Sequence, residues 1–304
     1  SGEDERILKA AESLASAHNL NVIGTLSKPL TIEMISQVMA DFEPHRHKKT
    51  RKQVETVDEQ ELRHAIATNQ IKPYFQPKVR AEDKSIASAE ILARWIHPTR
   101  GLIPPDAFIP MAEEHGFCSQ LTLSMYIQSI ELLSKWTKLG YDFTLGINVS
   151  ADEFNNVDLP KTFSDLAKAN GIPCNKIELE ITESRLVNNI TKSLDVLTRM
   201  RLKGFGLSID DFGTGYSSMS QLNQIPFTEL KIDRAFVNGA NKDPAAHAIL
   251  ESSSALGKKL YMKIVAEGVE TQEQAILLNE FNCHFAQGYF YHKPLPLLEI
   301  KSLL

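Results

Sequence analysis

The sequence predicts an α/β protein: a (β/α)8 barrel of the TIM type over residues 59–304, preceded by a short αβα segment. Three observations point to this fold. Strand-like and helix-like runs alternate throughout the stretch after Glu59, as a barrel of βα units requires. Several strand-like runs alternate apolar and polar residues, so one face packs under helices and the other faces the barrel axis. The 304 residues suffice for one such barrel with an appendage.

Taken in order, residues 1–44 read helix, strand, helix. Ile7, Leu8, Ala11, Leu14 and Ala15 recur at helical spacing. Asn21-Val22-Ile23-Gly24 is a short apolar strand. Lys28-Pro29 ends it, and Thr31 can cap a helix carrying Ile32, Ile35, Val38 and Met39. This segment is too small to bury a core of its own. Residues 45–58 form a basic linker containing His45-Arg46-His47-Lys48-Lys49-Thr50-Arg51-Lys52, a solvated run by default. The barrel then opens with a helix from Asp58 to Thr68 and the strand Tyr74–Val79. Further strands are expected at 86–95, 143–149, 176–182, 206–210, 228–232, 261–266 and about 284–290. Helical patterns fall at 120–139, 159–170, 190–203, 243–257 and 271–281.

Composition narrows the function. Hydrophobic residues make up 42% and charged residues 23%, which excludes a disordered tail. No apolar run approaches the roughly 20 residues of a membrane span. With 38 acids against 33 bases the net charge is −5, a poor match for a nucleic-acid polymer. Cys118, Cys174 and Cys283 stand far apart; they suggest neither zinc nor a disulfide framework, and reduced cytoplasmic thiols are expected. The start of the chain has no signal-peptide pattern.

The polar positions of the strands carry the chemistry. In Ile177-Glu178-Leu179-Glu180-Ile181-Thr182 the apolar residues share one face, so Glu178, Glu180 and Thr182 point inward. The same parity places Glu90, Asn148, Ser208, Asp210 and Lys231 inside, and Glu267 closes the run Ile264-Val265-Ala266. Acids therefore converge on one barrel mouth. Burying them unpaired is prohibitive, and Lys231 alone cannot balance four or more. Oxygen donors from Glu, Asp and Asn suit Mg2+ or Mn2+ rather than zinc. The adjacent pair Asp210-Asp211 can bridge two ions, the arrangement used for phosphodiester cleavage. The following Phe212-Gly213-Thr214-Gly215-Tyr216-Ser217-Ser218 lacks the ending of a P-loop and suits a loop that orders the site.

Two resemblances add to this reading. Ser1-Gly2, the first helix, Val22-Ile23-Gly24 and Leu26-Ser27-Lys28-Pro29-Leu30 resemble the last third of a response-regulator receiver domain. That resemblance implies that Lys28 matches the Lys that contacts the phosphorylated Asp and Ser1 the small hydroxyl residue, while the acceptor Asp and its acidic pocket, upstream in the family, are absent from these residues. It also implies an upstream sensor histidine kinase as partner. Residues 59–304 resemble the EAL domain, the cyclic di-GMP phosphodiesterase of bacteria. Its motifs stand in order: Ala89-Glu90-Ile91-Leu92-Ala93-Arg94-Trp95, Asn148-Val149-Ser150, Glu180-Ile181-Thr182-Glu183, Asp210-Asp211-Phe212-Gly213-Thr214-Gly215-Tyr216, Leu230-Lys231-Ile232-Asp233, Glu267-Gly268-Val269-Glu270 and Gln287-Gly288-Tyr289. Ile91 departs from the family's middle Ala at a position expected to face away from the metal. Met219 replaces a usual Leu.

The resemblance implies roles residue by residue. Glu90, Asn148, Glu180 and Asp210 would hold the first of two Mg2+ or Mn2+ ions. Asp210, Asp211 and Glu267 would hold or approach the second. Lys231 would orient the attacking water and Glu267 is the candidate base. Gln76, Arg94 and Gln287 would contact the dinucleotide, Arg94 by its planar fork on phosphate. Glu183 would anchor the 211–218 loop and Glu270 would support the site. The implied reaction converts cyclic di-GMP to linear pGpG in a cytoplasmic bacterial response regulator, as a homodimer or higher homo-oligomer. A catalytically silent cyclic di-GMP receptor is the alternative, but it predicts a broken metal set, and no position of that set is missing. A metal-dependent aldolase would need a reactive amine, and the acids around Lys231 favour an ammonium ion. A pure interaction module gives no reason for interior acids.

Overall fold

The computed structural model describes residues 30–40, 57–183, 190–214 and 224–300, and the single positions 15, 22, 26, 222 and 303. The chain divides into two compact units, Ser1–Thr56 and Val57–Leu304. In the first, helix α1 spans Ile32–Ala40, and the Thr31 hydroxyl accepts the Met34 N–H at 3.3 Å, a side-chain cap on an orphan donor. The rest of the expected αβα pattern, Ser1, Lys28 and the basic run His45–Lys52 lie outside the described residues, as does the stretch 215–221.

The second unit is a closed barrel. Its strands are β1 (Ile71–Arg80), β2 (Ile86–His97), β3 (Gly101–Ile103), β4 (Thr144–Asn148), β5 (Ile177–Thr182), β6 (Gly206–Phe212), β7 (Glu229–Ile232), β8 (Lys263–Ala266) and β9 (Phe285–Ala286). Eight of them form the ring in the order β1-β2-β4-β5-β6-β7-β8-β9, with β9 back on β1. Short β3 is an outer hairpin partner of β2.

One strand departs from the expected (β/α)8 pattern. β1 runs antiparallel to both β2 and β9, while the other ring neighbours are parallel. The cause is local. Residues 81–85 are too few for a crossover helix, so the chain must turn back as a hairpin. Lys84 takes φ +62° there and returns its N–H to the Arg80 carbonyl at 2.9 Å.

Helix α2 (Glu59–Ala67) precedes β1, and α10 (Leu297–Ile300) follows β9; between strands lie α3 (Pro105–Glu114), α4 (Cys118–Lys138), α5 (Leu159–Ala169), α6 (Ile190–Leu202), α7 (Arg234–Gly239), α8 (Pro244–Lys259) and α9 (Gln272–Glu280). Side-chain caps set several starts: Asp58 accepts from Glu61 N–H, Asp243 from Ala245, and Thr271 with Gln274 forms a reciprocal capping box. β3 and α3 were not apparent from periodicity, because Pro104-Pro105 reads as a break while Pro105 in fact fits the first helical turn. The final strand is shorter than expected. After Ala286 the chain packs against the exit of β8, and a Cβ on Gly288 would overlap the Val269 backbone.

The core lies between barrel and helices. Ile177, Leu179, Ile181, Leu207, Ile209, Leu230 and Ile232 are at most 1% exposed. Each contributes about 1.5–3 kcal/mol by leaving water. That apolar shell fixes the strand parity and commits the alternate positions to the barrel interior.

Candidate metal centre and active site

The barrel interior is polar. Six carboxylates, Glu90, Glu178, Glu180, Asp210, Glu229 and Glu267, face two ammonium groups, Lys78 and Lys231. Glycines make the room: a Cβ at Gly146 would overlap Glu180 Oε1, and one at Gly206 would overlap the Glu178 carboxylate.

At the C-terminal mouth the acids gather on Lys231. Its Nζ lies 2.7 Å from Glu267, 2.9 Å from Glu180, 3.1 Å from Asp210 and 3.2 Å from Glu90. Burial works against the Lys231 charge, but Asp210, Glu180, Glu267 and Glu90 outweigh it and raise its pKa. Lys231 is therefore an ammonium ion, as expected. The carboxylates diverge from one another. Burial also opposes charge on Glu90, yet Lys231 and Lys78 hold it down to about 2. Burial and then the Glu90 charge push Glu180 up to about 7. Burial, with Asp210 and Glu90 nearby, raises Glu267 despite Lys231. Four acids on one lysine leave negative charge that a cation would offset.

The donors form two groups that share Asp210. Glu90, Glu180 and Asp210 bring oxygens within 4.8 Å of one another, and so do Asp210, Asp211 and Glu267. Asn148 donates its amide N–H to Glu90 at 2.9 Å, which leaves its oxygen as the remaining donor. All of these ligands are hard oxygens, so the set fits a divalent ion of the Mg2+ or Mn2+ kind.

A strand irregularity brings Asp211 into the second group. Adjacent strand residues normally point to opposite faces. The β6–β7 register shifts between Ile209 and Phe212, and Asp211 adopts φ +55°. Its backbone N–H donates to Asp210 Oδ1 at 2.9 Å. Such a bulge re-aims a side chain, and Asp tolerates the left-handed region better than most residues. Burial and the Asp210 charge push Asp211 up to about 6.

The other candidate residues distribute unevenly. Gln287 donates to Glu90 at 2.7 Å and to Gln76 at 3.2 Å, and Gln76 donates to the His292 carbonyl at 3.3 Å. Both glutamines line the cleft above the cluster, together with Arg234 and Tyr289. Arg94 is half-buried on β2 and donates to the Ala93 carbonyl at 2.8 Å. Glu183 accepts the Gly213 N–H. Glu270 is exposed, and its backbone N–H bonds to Gln274 at 2.7 Å. No hydrogen bond joins its carboxylate to the acid cluster among the described residues. Sequence reading did not identify Arg234, Tyr289, Lys78 or Glu229 as site residues. Lys78 shares the parity of Gln76, and Glu229 that of Lys231, so alternation could have flagged both.

The EAL domain family profile matches residues 59–294. The chain belongs to the EAL domain family. Among its relatives is the cyclic di-GMP phosphodiesterase RocR of Pseudomonas aeruginosa, 33% identical over 300 residues, covering 97% of this chain and 76% of RocR. The phosphodiesterase NbdA of the same organism is 36% identical over 247 residues, covering 81% of this chain and 32% of NbdA. Among solved structures, the EAL fold here superposes on the PaMucR phosphodiesterase in its c-di-GMP complex with a TM-score of 0.76 at 36% identity, over 79% of this chain and 98% of that one. No described helix of this EAL protein is long and apolar enough to cross a membrane.

Proposed function

We propose that this chain hydrolyses cyclic di-GMP to linear pGpG with two divalent cations, Mg2+ or Mn2+. The observation that carries the reading is the pair of oxygen clusters sharing Asp210 and packed on Lys231 at the barrel mouth. The relatives support the substrate: RocR and NbdA are named cyclic di-GMP phosphodiesterases, and the PaMucR structure is a c-di-GMP complex.

In this reading Glu90, Asn148, Glu180 and Asp210 hold one cation, and Asp210, Asp211 and Glu267 the other. Cations bound there supply a nucleophile at neutral pH and offset charge on the phosphate. The protein does the remainder. Gln76, Gln287 and Arg94 bind the dinucleotide, with Arg94 forking onto phosphate oxygens. Lys231 donates to the attacking water and orients it. Glu267, the most accessible of the four acids on Lys231 at 17%, takes the water's proton. The water oxygen bonds to phosphorus, the bond to the 3′ oxygen breaks, and that oxygen leaves as a hydroxyl on taking back the proton that Glu267 removed from the water. Glu183 holds the loop after Asp211 in place, and Glu270 supports the rim.

The wider setting is part of the same proposal. The chain acts in the bacterial cytoplasm as a response-regulator output, as a homodimer or larger homo-oligomer, with a sensor kinase acting through residues 1–44. The alignment with RocR, which extends over nearly the whole chain, favours treating that segment as part of the regulated unit. Chromatography of cyclic di-GMP after incubation with the protein and Mg2+, with and without chelator, tests the reaction. The reading expects pGpG that disappears with chelator. Tight binding with intact cyclic di-GMP would make the chain a receptor.

A further inference from the structure

A second buried charged layer lies under the metal cluster, and the mechanism above does not use it. Lys78 on β1 is 1% exposed and makes two ion pairs, with Glu180 Oε1 at 2.7 Å and Glu229 Oε1 at 2.8 Å. The Ser208 hydroxyl donates to the same Glu229 oxygen at 3.1 Å. Glu180 thus has one oxygen on each lysine: Oε1 on Lys78, and Oε2 on Lys231 at 2.9 Å. A carboxylate clamped in this way cannot turn about its last bond without breaking a buried ion pair.

Gly146 gives an independent sign that this arrangement is built in. It faces Glu180 from β4, and a Cβ there would overlap Glu180 Oε1 and approach Lys78 Nζ to 3.4 Å. The barrel therefore leaves a side-chain gap for the Glu180–Lys78 pair. As a fold stabiliser alone, a buried lysine with two acids is a poor choice, because apolar side chains of similar volume avoid the desolvation cost. Its position on a metal-cluster acid gives it a use. Groups that hydrogen-bond a metal ligand from behind commonly tune affinity and activity.

We propose that Lys78 is a positioning residue for the cation site, with Glu229 as its counter-charge. It fixes the Glu180 carboxylate so that Oε2 alone faces the cluster. This rests on the divalent-cation reading above and adds what orients the ligand.

The test is the double variant Lys78→Met/Glu229→Gln in the full chain. It removes one positive and one negative charge, so net interior charge is preserved and only the clamp is lost. Mn2+ binding is measured by calorimetry without substrate. kcat and KM for cyclic di-GMP are measured at saturating cation. The expected result is an Mn2+ midpoint raised about tenfold or more, with KM for the dinucleotide within about twofold of wild type. A merely structural role would lower thermal stability and leave the Mn2+ midpoint of the folded protein unchanged. That result overturns the proposal. Gly146→Ala is the second variant. It keeps both lysines and displaces the flexible end of Glu180 from Lys78, so it carries the test if the double variant does not fold. The same shift is expected, and an unshifted midpoint overturns the proposal. A wild type that binds no Mn2+ refutes the cation reading itself, which separates that failure from a wild type that binds as well as its variants do.

Discussion

Glu183 Oε2 accepts the backbone N–H of Gly213 at 2.8 Å, tying the exit of β5 to the loop that leaves β6. Gly213 sits two residues beyond Asp211, takes φ +99°, and would place a Cβ 2.7 Å from the Phe236 ring. The bond therefore holds the loop at the point where Asp211 is re-aimed. Glu183→Ala is expected to lower kcat about tenfold or more, with little change in the thermal midpoint. Glu183→Gln keeps an acceptor and should lose less. Steady-state kinetics beside thermal melts check this. Equal kcat for wild type and Glu183→Ala would remove the anchoring role.

Lys231 offsets four carboxylates at once. Lys231→Met takes the ion pair from Glu90, Asp210 and Glu267 and leaves Glu180 with Lys78 alone, all in a buried site. Loss of one partner from such a network costs about 3–5 kcal/mol. Cation-free Lys231→Met should therefore melt well below wild type, and Mg2+ should recover part of the difference by binding the native state. Melting curves with and without Mg2+ give the answer. A variant as stable as wild type without cation would mean that the acids balance themselves in another way.

Stability of the cation-free protein should depend on pH. An acid whose folded pKa is raised binds more protons in the native state than in the unfolded chain between the two values, so stability falls as pH rises through that window. Burial sets this direction for Glu180, from 4.5 to about 7, and for Asp211, from 3.8 to about 6. Glu90 acts in the opposite sense. Held down to about 2 by Lys231 and Lys78 against the effect of burial, it adds stability above 4.5 that is lost as pH falls toward 2. Thermal melts in chelator should therefore decline from pH 4.5 to 7, and saturating Mg2+ should flatten the decline. A flat profile in chelator would contradict the charges assigned to the cluster.

Gly288 packs on backbone rather than on a movable side chain. A Cβ there would overlap Val269 N and the Val269 carbonyl oxygen, next to the bond from Val269 N–H to the Gln287 carbonyl at 3.0 Å. Gly288→Ala is expected to lower the thermal midpoint and to raise KM for cyclic di-GMP, because Gln287 moves with the backbone. An unchanged KM in a folded variant would take Gln287 out of substrate binding.

Most of the fold and of the acid cluster was legible because both follow from strand parity. The apolar face of Ile177-Leu179-Ile181 fixed where Glu180 had to point, and the same argument placed Asn148, Asp210 and Lys231. Three features were not legible, each for a physical reason. The antiparallel direction of β1 depends on the short turn at residues 81–85, and alternation is blind to direction. α3 begins at Pro105, where a local breaker doubles as a first-turn residue. The Lys78–Glu229 pair joins residues 151 positions apart, and nothing local to either announces the other. Motif order places Glu270 near the site, and the structure sets it, exposed, in the lining of the same cleft as Glu90, Asp210 and Glu267.

The central claim is that the acid cluster at the barrel mouth hydrolyses cyclic di-GMP. The most direct measurement incubates wild type and Glu90→Gln with cyclic di-GMP and Mg2+, following nucleotide binding by calorimetry and products by ion-pair chromatography. The account predicts pGpG from the wild type, and binding with intact cyclic di-GMP from Glu90→Gln. Intact cyclic di-GMP recovered from cation-loaded wild type, or pGpG formed equally by both proteins, would contradict it.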